Sequence, residues 1–274
     1  MPLFKYCSES GKYIIKNLEI KIAPPNELND PCEFRPMITN SDPKAWAEKF
    51  LDRALLDRAY YETEAQTLAS GMSFTEFQKK ATPRRGELIL ALVKESKSMD
   101  RSLQNEVSDM MSAKWGIVSL SANPISQLMW SHYADSHRGM MFEFNETDQL
   151  FKTPSFLKCE YKNEAAIYDS SGTPSAKNVA EFVRRKRSEW AYEEESRLII
   201  PFEVCRESEL GGKPLWLYKL NPSMIVSVTF GQRTEDDLKR EVEQSLSRSE
   251  FSHVTKWEIR EGQTPIEIER VQVA

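Results

Sequence analysis

The sequence predicts an α+β protein, a split mixed β-sheet flanked by helices and carrying a helical insertion. Three observations predict it. Short apolar or alternating runs with strand character lie towards both ends of the chain, a long stretch near 42–112 keeps helical spacing, and no repeat or low-complexity linker divides the 274 residues. A single domain over 1–274 is therefore expected, with 41–113 as the helical insertion.

Leu3 to Tyr6 reads as a strand, Tyr13 to Leu18 as a turn of helix, and Glu19 to Ala23 as a half-buried strand in which Ile20 and Ile22 alternate with charged neighbours. Pro24 and Pro25 end it, and Asn26 to Glu33 is dense in turn formers, with Pro31 pushing Asp30 out of the helical region. Asp42-Pro43 opens the helical stretch, which Gly71, Pro83 and Gly86 divide into helices over about 43–69, 73–81, 86–96 and 100–113. Gly116 to Ser121 is a strand delivering Ser119 and Ser121, with no G-x-S-x-G elbow around either serine.

A short helix over about 125–136 follows, since Leu128 or Met129, then Trp130, Tyr133 and Ala134, recur at three- and four-residue steps. Gly139 is expected to end it through a positive φ, and Met140 to Phe144 to continue as a strand. Phe156 to Tyr161 is a further strand, and 170–174 a polar loop. A helix over about 176–190 carries Arg184, Arg185, Lys186 and Arg187, which at 100° per residue spread around its surface, as a solvated face or as a cationic rim for phosphate. The remaining pattern gives strands at 215–220 and 225–230, a helix over 234–247, and strands at 253–259 and 266–271.

A net charge of −5 disfavours broad electrostatic binding to nucleic acid. No basic leader precedes an apolar run at the amino terminus, and no uninterrupted apolar stretch approaches the roughly 20 residues of a spanning helix. A cytoplasmic protein without a membrane partner is expected. The four cysteines, Cys7, Cys32, Cys159 and Cys205, are dispersed, with no histidine at ligand spacing, so reduced thiols and no metal site are expected.

Two stretches concentrate chemistry. Ser126 to Asn145 holds Trp130, His132, Tyr133 and His137, in a chain with three histidines in all. Trp190 to Ile200 runs acidic residues into an apolar strand. If that strand begins near Glu193, then Glu193, Glu195 and Arg197 share one face, where a guanidinium can hold a carboxylate ionised by bidentate pairing. Core packing explains the first stretch as well as a binding role does, and a cross-strand salt bridge explains the second.

Leu-Phe-Lys-Tyr at 3–6, Leu-Asn-Asp-Pro-Cys-Glu at 28–33, Met-Trp-Ser-His-Tyr-Ala-Asp-Ser-His-Arg-Gly at 129–139 and Trp-Ala-Tyr-Glu-Glu-Glu-Ser-Arg at 190–197 together resemble a widespread bacterial and phage family of unknown function. Ile-Val-Ser-Val-Thr-Phe-Gly at 225–231 is similar to its late strand-glycine element. The chain departs from the family at Leu28, at Ser119-Leu120-Ser121 and at Ser196, and the 41–113 insertion matches none of its motifs.

More loosely, the order of parts is similar to the ADP-ribosyltransferase fold, which grips NAD in a split sheet. By that resemblance Tyr6 would take the nicotinamide side, Ser119 or Ser121 with Tyr133 the middle, and Glu195 or Glu193 the late acidic position, with Glu195 expected as the catalytic carboxylate and Arg197 keeping it charged; Asn29, Asp30, Trp130 and His137 are the further expected nucleotide contacts. The resemblance implies an NAD-using transferase, such as a toxin or phage-defence effector, modifying a protein or nucleic acid. A noncatalytic recognition module built on Trp130, Tyr133, His137, Asp30 and Arg197 is the alternative. A metal-dependent nuclease using Asp30, Glu33, Glu193 and Glu195 is a third.

Overall fold

The computed structural model describes residues 2–34, 37–39, 41–66, 71–96, 113–169, 176–264 and 266–273. In chain order its strands are β1 Leu3–Cys7, β2 Glu19–Ile22, β3 Met37–Thr39, β4 Trp115–Ser121, β5 Met140–Phe144, β6 Phe156–Lys158, β7 Glu160–Tyr161, β8 Ile167–Asp169, β9 Arg185–Lys186, β10 Glu195–Pro201, β11 Arg206–Leu210, β12 Lys213–Lys219, β13 Ile225–Phe230, β14 Thr255–Glu261 and β15 Ile268–Val273. The fold is α+β, with a large mixed sheet flanked by helices.

Two compact units divide the chain, one comprising 1–34, 109–164 and 183–274, the other 35–108 and 165–182. The first is built on an eight-stranded sheet in the order β15-β14-β13-β5-β1-β4-β10-β6, with β11-β12-β2 as a separate three-stranded sheet. Only β13 and β14 of the large sheet run parallel, joined through the Asp236–Leu246 helix, and the other neighbours are antiparallel.

Strand alternation gives this sheet two unlike faces. Leu3, Val118, Leu120, Phe142, Phe144, Leu198, Ile200, Val228 and Phe230 lie on one, in a core completed by Ile14 and Ile15 of the Lys12–Asn17 helix, by Leu238 and Val242, and by Phe251. The other face mixes apolar residues, Phe4, Tyr6 and Met141 among them, with polar ones. Directly opposed residues project to the same side, and the register pairs Glu195 with Ser121, Arg197 with Ser119 and Phe4 with Ser121. Tyr6, two residues beyond Phe4, joins them on that side.

The Gln127–Tyr133 helix covers the middle of this second face, burying Met129 and Trp130, with Ala134 just beyond, against Phe4, Tyr6, Met141 and Ile259. Ser126 caps it by accepting from the Met129 amide at 3.3 Å. The turn after it differs from expectation. Positive φ falls on Asp135, Ser136 and His137, at 48°, 52° and 69°, and Gly139 is not among the positive-φ glycines. Gly139 answers to close approach instead, since a Cβ there would stand 2.0 Å from the Cys7 carbonyl oxygen.

The second unit has its own apolar core of Ala47, Leu51, Ala54, Tyr61, Phe77, Ile89 and Leu92. Its first helix runs Pro43–Leu56, capped by Asp42 as the Asp-Pro signal predicts. Asp57 then interrupts the long helix expected over 43–69 by capping the short turn Arg58–Tyr60, and a π-helical turn, Tyr61–Ala65, follows. Helices at Phe74–Ala81 and Arg85–Ser96 match the spacing. The expected helix over 100–113 and the loop at 170–174 lie outside the described residues, except for position 113.

Two further readings need correction. The helix over 176–190 stops at Arg184, after which β9 carries Arg185 and Lys186 and a 3-10 helix spans Ser188–Glu193. Ionic contacts to the Lys186 side chain, described below, outweigh the helical preference of a run with no internal breaker. The strand begins at Glu195 and not at Glu193, because Glu194 takes a left-handed conformation with φ of 45°.

Candidate functional site

Glu195 lies 3% exposed on β10, on this second face of the sheet. Arg197, two residues along the same strand face and 1% exposed, donates from Nε to its Oε1 at 2.9 Å and from Nη2 to its Oε2 at 3.0 Å. The same Oε2 accepts from Lys186 Nζ at 2.8 Å and from the Cys159 thiol at 3.5 Å, while the Glu195 amide donates to the Tyr161 hydroxyl at 2.6 Å. Arg197 also donates to Glu33 Oε2 and the Val183 carbonyl, with the Phe34 ring 5.5 Å from its guanidinium carbon.

Lys186 is the hub of this network. Its ammonium stands 2.8 Å from Glu195, 2.5 Å from Glu193 and 3.2 Å from Glu33, with the Trp190 ring centroid 5.2 Å away. Glu193 reaches the hub from the end of the 3-10 helix, so the convergence of Glu193, Glu195 and Arg197 is achieved without strand alternation at Glu193. Its Oε1 accepts from the Tyr133 hydroxyl, which in turn accepts from the exposed Asn29 side chain at 2.6 Å. A continuous path thus runs inward from Asn29 through Tyr133, Glu193 and Lys186 to Glu195, Glu33 and Arg197.

Three carboxylates face two cations here, and burial together with these charges sets their proton affinities. Burial is the largest influence on Glu195 and acts to raise its pKa, but the Arg197 and Lys186 charges more than reverse it and hold the group well below the usual carboxylate range. Glu193 and Glu33 are both raised, chiefly by burial, which their neighbouring cations offset only in part. Burial opposes the Lys186 charge, yet Glu195 and Glu33 keep its pKa high. Tyr133 is raised by burial and by the Glu193 carboxylate beside it.

The remaining candidates form a second group on the same face. Tyr6 donates to the Asn123 carbonyl at 2.5 Å and meets the Trp130 ring edge-on, and its buried hydroxyl is pushed up in pKa mainly by desolvation. Ser121 accepts from the Asn123 amide at 3.1 Å, and Trp130, wholly buried, donates to the Pro124 carbonyl at 3.1 Å. Ser119, opposite Arg197 in register, offers its carbonyl to Lys5. His137 stacks on Trp130 at 6.2 Å with Nε2 3.4 Å from Ser131 Oγ, and burial, then Arg233, lowers its pKa.

Asp30 occupies the turn between Asn29 and Glu33. It is 6% exposed, its Oδ1 accepts from the Cys32 amide at 2.8 Å, and its Oδ2 is buried without a hydrogen-bond partner among the described residues.

Tyr133, Asn29, Glu193, Glu195 and Arg197 are therefore joined in one network, with Asp30 next to Asn29 in sequence but its side chain bonded only to the Cys32 amide among the described residues, while Tyr6 and His137 pack on Trp130 of the helix that supplies Tyr133 and Ser121 bonds Asn123. Sequence reasoning gave Lys186 no individual role, and it left Cys159 and Tyr161 out of the site. A lysine seven residues before one glutamate and nine before another carries no local signal, because the pairing is made by the fold. Among the described residues no group of three or more His, Cys, Asp or Glu is arranged to hold a metal ion, and the three glutamates converge on an ammonium group.

No family model, curated protein or solved structure matches the chain. No helix among the described residues is long and apolar enough to cross a membrane.

Proposed function

We propose that the chain is an ADP-ribosyltransferase-like enzyme that uses NAD, with Glu193 as the carboxylate that meets substrate and Glu195 and Arg197 as its buried support. The observation that carries this reading is the surplus of negative charge in a buried network whose outermost acid, Glu193, lies under the Tyr133 hydroxyl. Breaking the bond between nicotinamide and ribose sends its electron pair to the ring nitrogen and leaves an oxocarbenium-like carbon. A fixed negative group stabilises that cation until an acceptor attacks it and loses a proton. Glu195, whose oxygens are filled by Arg197, Lys186 and Cys159, suits holding the network in place. Glu193 is only 4% exposed at its side chain, so substrate reaches it when Tyr133 and Asn29 give way. Segments 28–33, 129–139 and 190–197 contribute residues to one hydrogen-bonded network, as a single site requires.

Incubation with NAD labelled in the adenylate, together with a cell lysate, tests it. Label transfer to a macromolecule or release of nicotinamide is expected, and loss of both in Glu193→Gln. If neither transfer nor release occurs and NAD leaves the melting temperature unchanged, the reading fails. A noncatalytic recognition module is the second reading, favoured by the four donors from Arg197, Lys186 and Cys159 already on the Glu195 carboxylate. It predicts that NAD or another nucleotide binds without turnover.

A further inference from the structure

Asp135, Ser136 and His137 follow one another in the left-handed region, with φ of 48°, 52° and 69°. A single aspartate or histidine enters that region at modest cost, but a run of three non-glycine residues is held only where its surroundings force it. Here they do. The His137 amide donates to the Trp130 carbonyl at 3.1 Å, the His137 carbonyl accepts from the Arg233 amide at 2.9 Å, and a Cβ on Gly231 would stand 2.2 Å from that same oxygen. The Gly139 carbonyl accepts from the Gly231 amide at 3.0 Å and from the Thr234 hydroxyl at 2.7 Å. The turn is thereby clamped to the chain that follows β13, and the strain goes into placing one ring.

That ring stacks on Trp130, and its Nδ1 is buried with no hydrogen-bond partner among the described residues. A buried N–H without an acceptor is costlier than a buried lone pair without a donor, so the proton of the neutral ring belongs on Nε2. Nε2 lies 3.4 Å from the Oγ of exposed Ser131. The imidazole is thus a donor here and not a base towards the serine, whose own hydroxyl proton is free to be donated outward. The charge acting on the ring is that of Arg233, an exposed residue whose side chain has no ion-pair or hydrogen-bond partner among the described residues. Ser131 lies two positions before Tyr133, and residues so spaced do not share a helix face, so this group faces away from the Glu193 network.

We propose that Ser131, His137 and Arg233 form an anion site that takes a phosphate dianion, free or as the end group of an ester. A hydroxyl, a neutral imidazole N–H and a guanidinium are supplied from a helix, a strained turn and the chain after a strand. Tetrahedral phosphate offers oxygens in several directions and suits donors of such different origin, whereas a carboxylate presents two oxygens in one plane. The site asks nothing of Glu193.

The chain has three histidines, so each imidazole resonance can be followed by NMR, with His132→Gln and His253→Gln assigning His137 by elimination. Inorganic phosphate, methyl phosphate and acetate are titrated at constant ionic strength, at a pH above the second phosphate pKa of about 6. A saturable shift of the His137 signal with phosphate or methyl phosphate is expected, with His253 unmoved. Comparable affinity for the two marks an ester end group as the ligand, and binding of phosphate alone marks the free ion. Arg233→Gln should weaken binding by about tenfold or more, because a charged donor is lost, and Ser131→Ala should weaken it less. Both side chains are exposed, and thermal melts check that the variants fold. Absence of a saturable shift, an equal response to acetate, or unaltered affinity in Arg233→Gln overturns the proposal. Displacement of methyl phosphate by NAD also overturns it, since the three groups would then belong to the dinucleotide. Phosphate binding in a chain that shows no NAD turnover would leave this site standing alone.

Discussion

Arg197 and Glu195 face one another across two residues of a single strand, joined by two hydrogen bonds of 2.9 and 3.0 Å in a site exposed by no more than 3%. The planar guanidinium meets both oxygens of the carboxylate, a geometry an ammonium cannot reproduce. Removing Arg197 leaves Lys186 as the one cation of this network facing three buried carboxylates. Arg197→Met is accordingly expected to lower unfolding free energy by about 3–5 kcal/mol, read from urea denaturation, with Arg197→Lys recovering only a minor part.

The same network predicts opposed responses to pH. Glu195, depressed in the folded state, adds stability above its ordinary value of 4.5 that is lost as pH falls towards its folded pKa. Glu33 and Glu193, raised in the folded state, favour folding on the acid side and cost stability as pH climbs through the window between 4.5 and their folded values. Thermal melts of Glu33→Gln should therefore decline less than wild type as pH rises above 4.5. An unchanged slope would show that Glu33 ionises normally.

At Gly139 the Cys7 carbonyl leaves no room for a side chain, and a backbone oxygen cannot rotate aside. Gly139→Ala should separate β5 from the chain after β1 and fail to give soluble protein or melt at a much lower temperature. Gly86→Ala, where a Cβ meets nothing within 4 Å, should by contrast be tolerated.

Arg270 ties the last strand across the sheet, donating to Thr229 at 2.9 Å, to Glu143 at 2.9 Å and to Ser227 at 2.6 Å, with the Trp257 and Phe4 rings 4.4 and 5.3 Å from its guanidinium carbon. Arg270→Met should leave Ser227 and Thr229, both fully buried, without a donor to accept from. Faster amide exchange in β15 and a lower melting temperature are expected, measured by hydrogen–deuterium exchange.

How much of this was legible in the sequence depended on the range of the interactions. Local signals placed β1, β2, β4, β5 and β13 closely, because alternation and flanking proline or glycine act within a few residues. The β11–β12 hairpin was read only from its second half, although Gly211 and Gly212, with φ of 60° and 78°, supply the positive φ its turn requires. At the site, Glu195 and Arg197 could be paired from strand period alone. Lys186 could not, since what draws it out of a helical run is three carboxylates separated from one another by up to 162 positions. Glu193 converged for a different reason than strand spacing suggested, through a left-handed Glu194 that no residue preference announces.

Lys186 also lends the molecule a built-in reporter. With 3% of its side chain accessible and its ammonium held charged by three acids, it is both shielded from and unreactive towards amine-directed labels while the chain is folded. Mass spectrometry after brief acylation would find that lysine unmarked in intact molecules and marked in those that had opened, so a single peptide records the fraction of the population whose interior has been breached.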